Sequence, residues 1–540
     1  MTAYRVLAET LEAVAAARGK LAKMARLAAA LASVEDGELV TAARFLSGSP
    51  FAEHEETTTS VGWATVVRAA SVVTGWDEET VGACAGAIGD LGEAVSLLMR
   101  SEPAEAMTIA EADVFFRELS RIRKPGEKRA LLETLLRRSS AVEAKYLLKT
   151  LSGGLRIGAD VTTVEESIAA AFGRDRESVA RARRDCGDIG ETAAAAKANR
   201  LAEIGFRLFH PIGFMLASPI ESATEVADEL SHFAIEDKFD GIRAHAHKEG
   251  TRVALFSRTL DEVTGQFPET AAELAQLEGT FLLDGEIVAW ERDRPGSFFK
   301  LQRRLGRKAP DPALIAEIPT AFIAYDCLAR ESRPLFEAPW RERRGHLEEI
   351  AVRQPLRVSE VFAAATPDGL EELFVKARER GNEGLMLKRR DSTYQAGKRG
   401  RAWRKWKKAL ATLDVVVTAV EQGHGKRAGM LSDYTFAVRD GDRFVNIGKA
   451  YSGLTDEEIR GMGGEFRKFT TGRYGPVRVV EPRVVLEVSF DAIQQSGRHK
   501  SGFALRFPRI VRLRPDKAVG DIATLDEVRE LHERLSGARD

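Results

Sequence analysis

For its first two hundred residues this chain spaces its apolar side chains at intervals of three and four, and then it stops. Leu7, Leu11 and Val14, followed by Leu21, Met24, Leu27 and Leu31, mark the apolar stripes of successive amphipathic helices. Similar spacing recurs to about residue 200 with little strand signal, and Ser47-Gly48-Ser49-Pro50 and Lys124-Pro125-Gly126-Glu127 predict breaks between helices. The prolines of His210-Pro211-Ile212-Gly213-Phe214-Met215-Leu216-Ala217-Ser218-Pro219 end the pattern, and strand-like runs dominate afterwards. At this length the chain is too long for one core. At about 150 residues per domain, 540 residues suggest three or four units.

From about 220 to 408 the strands alternate with helices such as the one around Gly369 to Arg380, which predicts a mixed α+β unit. After Leu410 the runs Leu413-Asp414-Val415-Val416-Val417, Tyr434-Thr435-Phe436-Ala437-Val438, Phe444-Val445-Asn446-Ile447 and Val484-Val485-Leu486-Glu487-Val488 are short strands separated by turns, a pattern that suits a small barrel. Gly423-His424-Gly425-Lys426-Arg427-Ala428-Gly429 joins the first two of them.

Composition excludes several classes. No apolar run reaches the about 18 residues that a membrane span needs, and Arg5, Glu9, Glu12 and Arg18 break the alanine-rich start, so no signal peptide is expected and the protein reads as cytoplasmic. Cys84, Cys186 and Cys327 are too few and too scattered for a disulfide framework or a four-thiolate zinc site. The net charge of −1 does not by itself announce a polyanion partner. Local runs do: 398–408 carries Lys and Arg interleaved with Trp403 and Trp406 and no acid, and Lys300, Arg303, Arg304, Arg307 and Lys308 form a second basic run. Each is either a solvated face or a phosphate-lined groove.

The chemistry gathers around Ile235-Glu236-Asp237-Lys238-Phe239-Asp240-Gly241-Ile242-Arg243, where Lys238 follows an apolar strand and Gly241 permits a tight bend. Downstream come Ser257-Arg258, Leu283-Asp284-Gly285-Glu286, Phe322-Ile323-Ala324-Tyr325-Asp326, Glu383-Gly384-Leu385-Met386-Leu387-Lys388, Trp403-Arg404-Lys405-Trp406-Lys407 and Arg514-Pro515-Asp516-Lys517. One such motif is a Lys-Asp-Gly turn and no more. The ordered series resembles the covalent nucleotidyltransferase superfamily, and with the long helical start it is similar to the larger ATP-dependent DNA ligases. Gly213-Phe214 departs from the proline expected at that point of the boundary segment.

The resemblance implies an all-helical DNA-binding domain over 1–205, an α+β adenylation domain over 206–409 and an oligonucleotide-binding (OB-fold) β-barrel over 410–540. It implies that Lys238 is the nucleophile that becomes linked to AMP. ATP and AMP would be held by Glu236, Asp240, Gly241, Arg243, Arg258, Glu286, Tyr325, Lys388, Lys405, Lys407, Arg514 and Lys517, with Tyr325 stacking on the adenine. Glu286 and Glu383 would hold Mg²⁺ or Mn²⁺, hard ions that take oxygen ligands. Gly153, Gly154 and Arg156, with Lys426 and Arg427, would touch DNA phosphates. An amine attacks phosphorus only when neutral, and a free lysine has a pKa of about 10.4. Burial, Lys405, Lys407 and a divalent ion are therefore expected to lower that of Lys238.

The expected activity is sealing of 5′-phosphate/3′-hydroxyl nicks in duplex DNA during repair or replication, by a monomer whose protein partners the sequence does not name. An RNA ligase or capping-type enzyme shares the lysine and carboxylates but does not need the helical third. An NAD-dependent ligase needs a tetracysteine module that three cysteines cannot build. A DNA-binding scaffold with a dead nucleotidyl site would take no covalent label from ATP.

Overall fold

The structure is a computed structural model describing residues 1–540 except 56, 101–104, 292–293, 297, 308, 408–410, 424–426, 428, 491 and 538–540. Among the described residues, twelve α-helices run from Tyr4–Ala16 to Ile189–Lys197 with no strand between them. Leu7, Leu11, Val14, Leu27 and Leu31 lie in their shared core, and Met24 is buried on the same stripe; removal of this apolar surface from water is the main stabilising term. Leu21 does not, being 76% exposed. It falls in the first turn of Lys20–Ser33, off the stripe that Met24, Leu27 and Leu31 define. The expected break near Lys124 falls at 122–124, between the helices Ile109–Arg121 and Pro125–Arg137; Lys124 is the N-cap of the second, and Pro125, Gly126 and Glu127 form its first turn.

The central part is built on two sheets. In the first, the strands run in the order Leu216–Ile220, Arg399–Trp406, Gly384–Arg389, Phe233–Lys238 and Val361–Phe362. In the second, Ile242–Glu249 pairs with Arg252–Ser257 on one side and with Phe281–Glu291 on the other, and Thr320–Arg330 follows. Strand alternation gives each sheet two different faces. Phe233, Ile235, Leu385, Leu387 and Trp406 point to one side of the first sheet, where they pack with Leu370, Phe374 and Ala377 of the helix Pro367–Glu379. Their alternate neighbours point to the other side, toward the second sheet.

The last part is a seven-stranded sheet bent about the long strand Ala411–Gln422. Its first half pairs with Val485–Phe490, and its second half with Leu431–Asp440 and Val477–Val480. One strand therefore serves both walls of a barrel-like core that includes Val415, Val417, Val420, Phe436, Ile447 and Val488. Contacts join the parts: Arg184 pairs with Glu337 at 2.6 Å, His54 stacks on His210 at 3.9 Å, and Arg506 lies over the Phe298 ring at 4.0 Å.

Candidate functional site

A cavity of about 410 Å³ opens between the two central sheets. Its first wall is one face of the first sheet. Glu236 and Lys238, Met386 and Lys388, and Trp403 and Lys405 are i, i+2 pairs on three neighbouring strands, and all six line it. The second sheet contributes Ile242, Arg243, Glu286 and Tyr325, and Ser257, Arg258 and Thr259 line the cavity where the strand Arg252–Ser257 ends.

Lys238 ends its strand opposite Gly384, and the Glu383 amide donates to the Lys238 carbonyl at 2.8 Å. That register brings the Glu383 carboxylate to 2.5 Å from the Lys238 ammonium. Gly384 has φ +149°, and a Cβ there would run into the Trp406 carbonyl oxygen and come within 2.9 Å of the Phe374 ring. Glycine is thus required for three strands to meet at the lysine. Gly241 serves differently from the expected dihedral freedom. Its φ is not positive, but a Cβ would strike the Ile287 carbonyl oxygen and stand 2.7 Å from Glu286 Cγ, so its smallness lets the bend close over the second sheet.

The electrostatics reverse one expectation. Burial works against charge on Lys238, but Glu383 and Glu286 outweigh it, and the ammonium is held above the ordinary lysine range. The carboxylates are stronger neighbours than Lys405. Burial instead disfavours charge on Lys405, and Lys238 and Lys407 add to that, so its pKa is lowered. Burial pushes Glu286 up to about 8 against the pull of Lys238 and Arg243, with Glu383 adding repulsion. Glu383 itself is below the usual range, because Lys238 overcomes its burial. Among the described residues no cluster of three or more His, Cys, Asp and Glu donors forms. Two mutually repelling carboxylates fit a hard cation whose other ligands are water and phosphate, and the raised Glu286 is a group that needs one to stay ionised.

Behind the lining, polar groups are tightly committed. Arg243 is gripped by Asp284 at 2.6 and 3.0 Å, and it also donates to the Met215 carbonyl at 2.6 Å. Tyr394 Oη donates to the same Asp284 at 2.9 Å and stands 3.1 Å from His245 Nε2. Phe214, in the departed boundary segment, stacks on His245 at 3.7 Å. Buried Glu236 takes a 2.7 Å bond from Lys388, while its Oε1 has no hydrogen-bond partner among the described residues. Lys388 and Arg243 lie over the Tyr325 ring at 4.2 and 5.8 Å.

The cavity thus gathers Glu236, Lys238, Gly241, Arg243, Arg258, Glu286, Tyr325, Lys388 and Lys405. Other expected residues lie outside its lining. Asp240 Oδ2 stands 3.6 Å from Arg506 of the last domain. Lys407 is exposed one residue beyond its strand. Arg514 and Lys517 both bind Asp414, at 2.8 and 2.5 Å, within the barrel-like domain. Gly153 has φ +75° and donates to Thr150, and Gly154 donates to Lys149, the paired bonds of a helix C-terminal cap. Arg156 donates to the Gly89 carbonyl at 2.9 Å. Arg427 is tied to Asp456, Tyr451 and Leu454, and Lys426 lies outside the described residues. Met386, Trp403 and Arg399 also line the cavity and were not among the expected ligands. Period two along Glu383–Lys388 and Trp403–Lys407 would have found the first two.

Three family models match successive parts of the chain. A family described as DNA ligase N terminus matches residues 3–169, one described as ATP dependent DNA ligase domain matches 214–407, and one described as ATP dependent DNA ligase C terminal region matches 427–517. A protein of Koribacter versatilis named probable DNA ligase is 45% identical, with 98% of this chain and 96% of that protein covered. One of Methanoculleus marisnigri named DNA ligase is 34% identical, covering 96% and 95%. The solved structure Pmar-Lig_PreS3 shares the fold at a TM-score of 0.63 and 16% identity, over 94% of this chain and 99% of that one.

Proposed function

The chain belongs to the family of ATP-dependent DNA ligases, and from that premise we propose that Lys238 Nζ is the atom that takes AMP, in the cavity between the two central sheets. The observation that carries this is the Lys238 ammonium at the cavity wall, 2.5 Å from Glu383 and under the influence of Glu286. ATP would enter with its base toward Glu236, whose Oε1 accepts no hydrogen bond among the described residues, its nearest cation being Arg344 at 3.9 Å, and between Tyr325 and Met386. Arg243, preset by Asp284, would face the ribose, and Lys405 would neutralise the α-phosphate. A divalent ion bound by Glu286 and Glu383 would supply charge to the transferring phosphate and relieve Lys238 of its carboxylate partners.

Neutral Lys238 then displaces pyrophosphate in line and holds AMP as a phosphoramidate. The 5′-phosphate of a nick takes the AMP, and the 3′-hydroxyl attacks that activated phosphate, forming the phosphodiester and releasing AMP. Each transfer needs positioning and charge neutralisation more than a strong base. The reading divides the chain at about 205 and 409 and takes it as a monomer acting in the cytoplasm. No helix among the described residues is long and apolar enough to cross a membrane.

A sealing assay with nicked DNA and nicked RNA of one sequence, across an Mg²⁺ titration, tests it. DNA should be sealed in preference, and Glu286→Gln and Glu383→Gln should each demand far more Mg²⁺. Preference for the RNA nick would move the protein to the RNA ligases, and unchanged metal curves in both variants would remove the carboxylates from the metal.

A further inference from the structure

At one end of the barrel-like sheet, three arginines crowd a hairpin that the proposed reaction does not use. The strand Thr470–Tyr474 turns through Gly475 into Val477–Val480, and the register sets Arg473 directly opposite Arg478. Like charges facing each other across an antiparallel pair are destabilising. Arg467, from the end of the helix Asp456–Lys468, adds a third cation. Among the described residues none of the three forms an ion pair within 4.0 Å. The nearby acids are already engaged, Glu465 with Lys468 at 2.8 Å and Glu481 with Arg483 at 2.8 Å. Burial, Arg473 and Arg467 together push the Arg478 guanidinium below its usual range. Tyr474, at the turn, is 72% exposed.

The position of the hairpin matters as much as its charge. Thr470–Tyr474 is the terminal strand of its sheet, with no strand beyond it. Val477 pairs with Glu421, one residue before the strand Ala411–Gln422 ends. The turn therefore lies at the sheet end from which the loop 423–429 leaves, the loop expected on sequence to approach DNA. Three cations held close together at an exposed edge, with no acid paired to them among the described residues, suit an external anion of extended form.

We propose that Arg467, Arg473 and Arg478 form a separate contact for the sugar–phosphate backbone of duplex DNA beside the nick, with the Tyr474 ring at its rim. The inference rests on the ligase reading and adds a site to it. Its charge fits a polyanion that is continuous along the sheet edge, and each phosphate neutralised releases condensed counterions.

The test uses the full chain with all three arginines changed to Gln, the same three changed to Lys, and Arg473→Gln alone. Nicked-duplex binding is measured through a salt series with EDTA present, and label transfer from ATP is measured separately. The Gln triple should bind more weakly, its slope of log affinity against log salt shallower by about 3, and the single variant's by about 1. The Lys triple should keep the wild-type slope, and label transfer should be unchanged in all, since none of the three arginines lines the cavity. Wild-type affinity and slope in both Gln variants would overturn the proposal and return the hairpin to solvated surface. Failure of the wild-type protein to bind nicked duplex would overturn the ligase reading itself, and the proposal with it.

Discussion

Lys238 depends on a glycine that has no side chain to offer it. Gly384 lets the strand bearing Glu383 lie against the Trp406 carbonyl, and only that closeness places the carboxylate 2.5 Å from the lysine. Gly384→Ala should therefore damage two properties at once. Strain of about 1–3 kcal/mol should lower the unfolding midpoint of the central domain, and label transfer from ATP should fall at least tenfold. Full label transfer at a lowered midpoint would separate the strand junction from the chemistry. That Lys238, Glu286 and Glu383 come together was legible in the sequence because each sits in a short ordered motif. The direction of the Lys238 pKa was not, because the motifs name both the lysines and the carboxylates of the site, and only the folded register shows that Glu383 and Glu286 outweigh burial. Arg243 was legible as a ligand, but not its preset grip by Asp284, which depends on the pairing of Arg243 with Glu286 across two strands.

Periodicity carried most of the elements. The helical stripe located the first two helices, missing only that Leu21 sits off the buried face. Alternation along Gly384–Arg389 held the lining residue Met386 beside Lys388, yet one strand read alone does not say which of its faces meets a cavity and which meets Pro367–Glu379. Glycines were harder to read, since the same letter serves dihedral freedom, closeness or ligand approach. Gly153 is a case in which the first suffices: it ends the helix Ala141–Leu151 at φ +75° with both cap bonds made. Gly153→Ala should cost about 1–2 kcal/mol in the helical domain's unfolding, and Gly153→Asn clearly less, since asparagine tolerates the left-handed region. If nicked-DNA affinity follows that same order, the glycine acts through the cap; a loss of affinity in a stable Asn variant would instead mark direct approach of its backbone to phosphate.

For the molecule as a whole, the open matter is how the last domain serves two steps. Arg514 and Lys517 are bound to Asp414 and stand apart from the cavity, while Arg506 of the same domain reaches Asp240 next to the lysine motif. A role for Arg514 and Lys517 in gripping the departing pyrophosphate requires that domain to turn over the cavity and then turn back. Arg514→Ala and Lys517→Ala should then impair label transfer from ATP severely while sealing of a pre-adenylated nick stays near normal. Equal damage to both steps would make the Asp414 pairs a structural clamp. The three-part organisation was legible from the change of period near His210 and again near Leu410, but contacts between parts, such as Arg506 with Asp240, join residues 266 positions apart and leave no local trace. The proposed reaction turns on one covalent bond. Wild-type protein incubated with α-labelled ATP and Mg²⁺, digested and mapped, should carry one acid-labile AMP on the peptide containing Lys238, and Lys238→Ala should carry none; label on any other residue, or label retained in Lys238→Ala, would contradict the account.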